Sequence, residues 1–270
     1  MLHLAQKTLP EGSASHAADT LVAALNARLQ HHGATDVLRE ALAAIPDLAL
    51  VSSFGAESVV LLHLGAMIKR DIPVIFIDTE MLFAETLVYQ MEVAERLRLQ
   101  NVTVIRAENT KTHDPDSTLH LRDTDACCAL RKTVPLQNAL KPHAGWITGR
   151  KRYQSDSRAG LDFFEVEDGT SKIKVNPLAR WAAQDICDYM DENRLPRHPL
   201  VAQGYPSIGC APCTSRVASG EDPRAGRWRD QDKEECGIHF VDGKLVRAGT
   251  VQNDLRAGTP QDDARTGATT

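Results

Sequence analysis

Leu48-Ala-Leu-Val-Ser-Ser-Phe-Gly-Ala-Glu-Ser58 decides the fold, together with the run that follows it to Ile68. Four apolar residues bounded by polar ones read as a buried strand, and the nearly all-apolar stretch from Ser58 to Ile68 reads as a helix. Between them Ser52, Ser53, Phe54, Gly55, Ala56, Glu57 and Ser58 make a tight strand-to-helix loop. Glycine there lets the backbone approach a ligand. The free N–H groups at the helix start, on the positive end of its dipole, suit a phosphate or sulfate. Any such turn needs a small residue, so the loop alone leaves a purely structural reading open. It is not a Walker loop, because the Gly-Lys-Ser/Thr ending is absent.

The same alternation continues outward. Ile72–Ile77 ends in Asp78-Thr79, Phe83–Leu99 has helical spacing through Phe83, Leu87, Met91 and Ala94, and Asn101–Ile105 and Gly145–Thr148 are further strands. Strands alternating with helices predict an α/β fold with a doubly wound, mostly parallel sheet. Ligands of such sheets sit at the carboxyl ends of the strands. Those ends carry Ser52 and Ser53, Asp78 and Thr79, and Gly149 with Arg150. Residues 1–45 read as an Ala-rich helical segment with Leu21, Leu25 and Leu29 at spacing four, suited to packing or to contact with another subunit. Trp181–Asn193 reads as an amphipathic helix, and a proline-punctuated region follows. The predicted organisation is a helical segment over 1–45, a main domain over 46–240 whose last part is a mobile C-terminal segment, and a partly disordered tail over 241–270.

With 31 basic against 36 acidic residues and a net charge of −5, the chain lacks the excess of a general polyanion binder, so no nucleic-acid partner is expected. The uncharged run Ser58–Ile68 falls far short of the roughly 20 residues that span a bilayer. The amino terminus shows no basic region followed by an apolar one, so no signal peptide is read and the cytoplasm is the expected compartment. A chain this long buries roughly 70–75% of its unfolded surface without disulfide staples.

That leaves six cysteines to explain, at 127, 128, 187, 210, 213 and 236. Cys210-Ala-Pro-Cys213 is a chelating pair, and Cys127-Cys128 adds two thiolates from a distant segment. Four thiolates suit tetrahedral zinc or an iron–sulfur cluster. Adjacent cysteines favour the cluster, whose separate irons can each take one sulfur. Arg131 and Lys132 would share a helix face with Cys128. Cys187 reads as a small core residue. Cys236 stands in a polar segment before Gly237, where a nucleophile could meet both a substrate and a reductant, although taken alone it reads better as an inert surface thiol. Arginine forks suited to phosphate or sulfate gather at Arg150, Lys151, Arg152 and Arg158, and again at Arg224, Arg227 and Arg229.

Eight segments together carry a family resemblance: SSFGAES at 52–58, IDT at 77–79, DACCALRK at 125–132, WITGRKR at 146–152, KVNPLARW at 174–181, YPSIGCAPCTSRV at 205–217, GEDPRAGRW at 220–228 and KEECGIH at 233–239. In that order they resemble the assimilatory adenosine 5′-phosphosulfate reductases, the iron–sulfur branch of the phosphoadenylyl-sulfate reductase family. The resemblance implies an adenine-nucleotide α-hydrolase-like fold and reduction of adenosine 5′-phosphosulfate to sulfite and AMP, with thioredoxin or a glutaredoxin-like protein as donor. It implies that Cys127, Cys128, Cys210 and Cys213 hold a [4Fe–4S] cluster and that Cys236 is the nucleophile. By the same likeness Ser52–Ser58 would hold nucleotide and phosphosulfate, with Asp78 and Thr79 near the adenosine. Arg150, Lys151, Arg152, Arg158, Arg224 and Arg227 would face the anionic groups, and Lys132 would link substrate charge to cluster charge. The family's strand-end pattern is Leu-Asp-Thr-Gly, whereas Glu80 stands fourth here; near a 3′-phosphate it would disfavour that group. A homo-oligomer is compatible with this reading. Two rivals remain. A cluster-free reductase of the 3′-phosphorylated nucleotide would lack the other four cysteines, and a zinc-stabilised binding module leaves Cys236 and the arginines unexplained.

Overall fold

The structure, a computed structural model, describes residues 11–229 and residue 233. Cys236 and the tail over 241–270 therefore lie outside the described residues. Six strands form one sheet: β1 Leu48–Ser52, β2 Val74–Ile77, β3 Val102–Ile105, β4 Gly145–Ile147, β5 Phe164–Val166 and β6 Ile173–Val175, in the order β3-β2-β1-β4-β6-β5. Every neighbouring pair is parallel except β5 with β6. The helices are α1 Glu11–Leu29, α2 Ala34–Ala44, α3 Ser58–Ile68, α4 Ala84–Leu97, α5 Thr110–His113, α6 Leu119–Arg122, α7 Thr124–Cys128, α8 Val134–Ala139 and α9 Ala183–Glu192. A five-residue π-helix, Ala129–Thr133, joins α7 to α8.

β2 is buried throughout because helices cover both faces of the parallel sheet. The helical segment before β1 is part of the same core: Leu25, Leu29, Val37, Leu38 and Ala41 pack with Leu48, Leu50 and Phe76. β5 and β6 were not expected from the sequence. Each is three residues long, and the central Glu165 and Lys174 break any apolar run.

β5 is an edge of the sheet. On β5, Asn26 of α1 imitates a neighbouring strand: its Nδ2 donates to the Phe164 carbonyl at 2.8 Å and its Oδ1 accepts the Phe164 N–H at 3.0 Å. That occupies an edge that would otherwise invite pairing. At the carboxyl end of α4, Arg98 takes a left-handed φ of 54° and its N–H caps Ala94 and Glu95. Among the described residues no helix is long and apolar enough to cross a membrane.

Two consequences follow for stability. Asn26→Ala strands both backbone groups of Phe164 and should cost about 1–3 kcal/mol in urea unfolding. The second concerns His198, which is fully buried; its Nδ1 accepts the Leu200 N–H at 3.2 Å and its Nε2 lies 3.1 Å from Thr86 Oγ1. Burial pushes its pKa down to about 4, against a weak opposing pull from Glu85. Between the ordinary value of about 6.5 and that value the unfolded chain binds the extra proton, so stability should fall as pH drops through this window. Urea unfolding between pH 7 and 5 should show the slope, and His198→Gln should flatten it.

Candidate active site

A cleft of about 290 Å³ opens at the carboxyl ends of β1, β2 and β4, close to the lower end of the range for small-molecule sites. β1 and β4 are adjacent in the sheet with β2 and β6 on either side, so the cleft lies where the winding reverses. One wall is the loop after β1. Phe54 carries its bend, at φ 48°, and is held there by complete burial and an edge-on contact with Phe76. Gly55 needs no left-handed conformation; its N–H donates to Ser58 Oγ at 3.0 Å, and the Phe54 N–H donates to Ser52 Oγ at 3.1 Å. The loop thus folds on its own hydroxyls and delivers the amino end of α3 to the cleft.

The opposite wall is cationic and already paired. Lys151, with its side chain 4% exposed, donates to Glu57 Oε2 at 2.7 Å, and Tyr153 and Gln154 donate to the same carboxylate at 2.9 and 3.3 Å. Burial would raise the Glu57 carboxyl, but the Lys151 charge and these hydrogen bonds outweigh it and hold it below its ordinary value. Burial in turn lowers the Lys151 ammonium against the pull of Glu57. The geometry is that of an ionised pair. Arg150 is aligned by Asn176, whose Oδ1 accepts from Nη2 at 3.0 Å, and by Glu165. Arg227 lies 4.4 Å from the Trp228 ring, and its Nε is buried with no hydrogen-bond partner among the described residues.

Beside the cleft, Cys127, Cys128, Cys210 and Cys213 line one small cavity together with Thr79, Arg131 and Lys132. Burial, followed by the neighbouring thiols, pushes Cys127 up to about 12, while Arg131 pulls it down. Thr79 Oγ1 lies 3.2 Å from Cys210 Sγ, and Lys233 Nζ lies 3.6 Å from Cys128 Sγ and 2.5 Å from Asp125 Oδ1. Among the described residues no three His, Cys, Asp or Glu side chains are grouped to hold a metal ion. The four thiols around this cavity are the donor set of a thiolate-ligated centre.

A family model for the phosphoadenosine phosphosulfate reductase domain matches residues 47–216. The chain belongs to this reductase family. An adenosine 5′-phosphosulfate reductase of Chelativorans sp. (strain BNC1) is 45% identical over 221 residues, 80% of this chain and 89% of that protein. One of Mesorhizobium japonicum is 48% identical over 196 residues, 72% of this chain and 76% of that protein. The solved phosphoadenylyl-sulfate reductase of Candida auris, a phosphate complex, has a TM-score of 0.63 at 28% identity and covers 78% of this chain and 98% of that one. The fold is the adenine-nucleotide α-hydrolase-like one, with a mostly parallel sheet.

Within this reductase fold, most of the expected residues converge. Ser52, Ser53, Gly55, Ala56, Glu57, Ser58, Thr79, Lys132, Gly149, Arg150, Lys151, Arg158, Arg224 and Arg227 all line the cleft. Three others point elsewhere. Phe54 is core; Asp78 is buried, bound to Arg106 Nε at 2.8 Å and to the Glu80 N–H at 2.9 Å; Arg152 faces Asp162 and the Leu161 carbonyl. Glu80 does not line the cleft either. Cys187 is exposed rather than core, because on α9 the neighbouring Ile186 takes the inward position. Sequence reading did not single out Trp146, Tyr153, Gln154 or Asn176; Trp146 and Asn176 lie inside quoted motifs and so carried a signal.

Glu57→Gln should leave Lys151 buried beside a neutral amide and cost about 3 kcal/mol or more in urea unfolding. A loss below about 1 kcal/mol would show that the pair is solvated.

Proposed function

We propose that this chain reduces adenosine 5′-phosphosulfate to sulfite and AMP, with residues 46–240 as the catalytic unit and Cys236 as its nucleophile. The observation that carries the reading is Lys132, which lines both the cleft and the four-thiol cavity and so joins the two halves of one site. The names of the relatives from Chelativorans and Mesorhizobium support the substrate. Lys233 supports the nucleophile: it touches Cys128 Sγ, and Cys236 follows three residues later, within roughly 11 Å of chain.

In this reading the amino end of α3 and the hydroxyls of Ser52, Ser53 and Ser58 hold the phosphosulfate, with Arg150, Lys151, Arg158, Arg224 and Arg227 spreading its charge. The Cys236 thiolate attacks the sulfate sulfur. An S–S bond forms, the S–O bond to phosphate breaks, and AMP leaves with the electron pair. Lys132 and Arg227 stabilise the charge gathering on the leaving phosphate oxygen. A thioredoxin thiolate then attacks Cys236 Sγ, sulfite departs with the S–S pair, and the second thioredoxin thiol frees Cys236 as thiolate. Both electrons come from the dithiol. Cys127, Cys128, Cys210 and Cys213 would hold a [4Fe–4S] cluster, which when bound supplies a fixed local charge and a structural tie.

Sulfite release with thioredoxin as donor should be faster from adenosine 5′-phosphosulfate than from its 3′-phosphorylated form, and the reverse order would make the chain a reductase of the latter. With ³⁵S-labelled substrate, wild-type protein should carry a label that thioredoxin removes, and Cys236→Ser should carry none. Labelled Cys236→Ser would refute the nucleophile. Protein purified anaerobically should be brown and contain iron; colourless protein with stoichiometric zinc would favour the binding module instead.

A further inference from the structure

Glu80 occupies the fourth place of the strand-end turn, where the family pattern has glycine, and its backbone keeps the glycine-like conformation at φ 59°. A side chain is strained there unless its surroundings hold it. Here its Oε2 accepts from Thr110 Oγ1 at 2.8 Å and lies 3.4 Å from Arg131 Nη1. Arg131 is 3% exposed and stands three residues after Cys128 in the π-helix. It also donates to the Thr79 carbonyl at 3.0 Å and to Asp114 Oδ2 at 2.9 Å.

The same turn grips the other cysteine pair. Thr79 Oγ1 meets Cys210 Sγ, the Ala211 N–H donates to the Met81 carbonyl at 2.8 Å, and Leu82 bridges Cys210. Residues 79–82 therefore fasten Cys210-x-x-Cys213 through the backbone and Cys127-Cys128 through Arg131. Asp114 already matches the charge of Arg131, whose field reaches Cys127, so the Glu80 carboxylate leaves the three side chains together net negative.

We propose that Glu80 is a positioning residue for the four-thiol centre: it clasps Arg131 to the turn and makes the centre more electron-rich than glycine at this position would. The proposal rests on the reading of the four thiols as cluster ligands. A negative charge near an iron–sulfur cluster lowers its reduction potential.

The full chain, purified anaerobically, is compared with Glu80→Gln, Glu80→Gly and Glu80→Asp by iron analysis and by redox titration followed by electron paramagnetic resonance. The midpoint potential should move to more positive values in Glu80→Gln and at least as far in Glu80→Gly, and stay near wild type in Glu80→Asp. Unchanged potentials in the first two overturn the proposal, as does an equal shift in all three. If a variant loses its iron, the chelator-treated proteins are compared by the rate at which N-ethylmaleimide alkylates Cys127 and Cys128. Faster alkylation in Glu80→Gln and Glu80→Gly than in wild type supports the clasp, and equal rates overturn it. Iron-free wild type refutes the cluster reading alone, and the same alkylation comparison then decides the role of Glu80.

Discussion

Arg131 brings a full charge into the interior, and a buried guanidinium is tolerated only when its donors are paired. Its partners come from two segments: the Thr79 carbonyl and Glu80 after β2, and Asp114 and Ser117 in the loop between α5 and α6. Asp114 is itself held by the Leu119 N–H at 2.9 Å, which starts α6. Burial would raise the Asp114 carboxyl, but the hydrogen bonds from Arg131 and Leu119 hold it below its ordinary value. The short helices α5, α6 and α7 have no long apolar face of their own. What fixes their course is this charge, and with it the position of Cys127 and Cys128.

The residue after Arg131 has the opposite assignment. Sequence spacing puts Arg131 and Lys132 on one helix face with Cys128, as a regular helix would. The π-helix over Ala129–Thr133 adds a residue to the turn, and such turns often mark functional sites. Both side chains still line the thiol cavity, but Arg131 is buried in its carboxylates while Lys132 also reaches the cleft. Two adjacent cations thus divide the work of structure and of contact.

What the sequence made legible is what local patterning encodes. β1 to β4 are apolar runs, and the cysteine and glycine motifs have fixed spacings. β6 hides because its buried Lys174 depends on Glu167 at 3.3 Å and on the Trp146 ring, a compensation no window of sequence contains. The loop after β1 was legible as a turn, but its left-handed residue is Phe54, since complete burial of an aromatic ring can hold a bend that propensity assigns to glycine. Asp78 was legible as a strand-end carboxylate, yet it binds the Glu80 N–H and Arg106 and shapes the turn from beneath. In each case the missing information is a partner distant in the chain.

The net charge of −5 and the cationic cleft are reconciled by the same pairing. Lys151 and Arg150 arrive with Glu57 and Glu165, so they are ordered before any anion binds and lose little side-chain entropy when one does. Arg227 is placed differently. Its guanidinium stacks on Trp228 and crowds the backbone of the cysteine loop so closely that a Cβ at Gly209 would come within 2.3 Å of Nη2. A side chain at 209 would displace the Arg227 guanidinium, the movable end of a flexible side chain. Gly209 therefore leaves the Arg227 guanidinium its place beside the cysteine loop, and the cationic wall lies against the segment that carries Cys210.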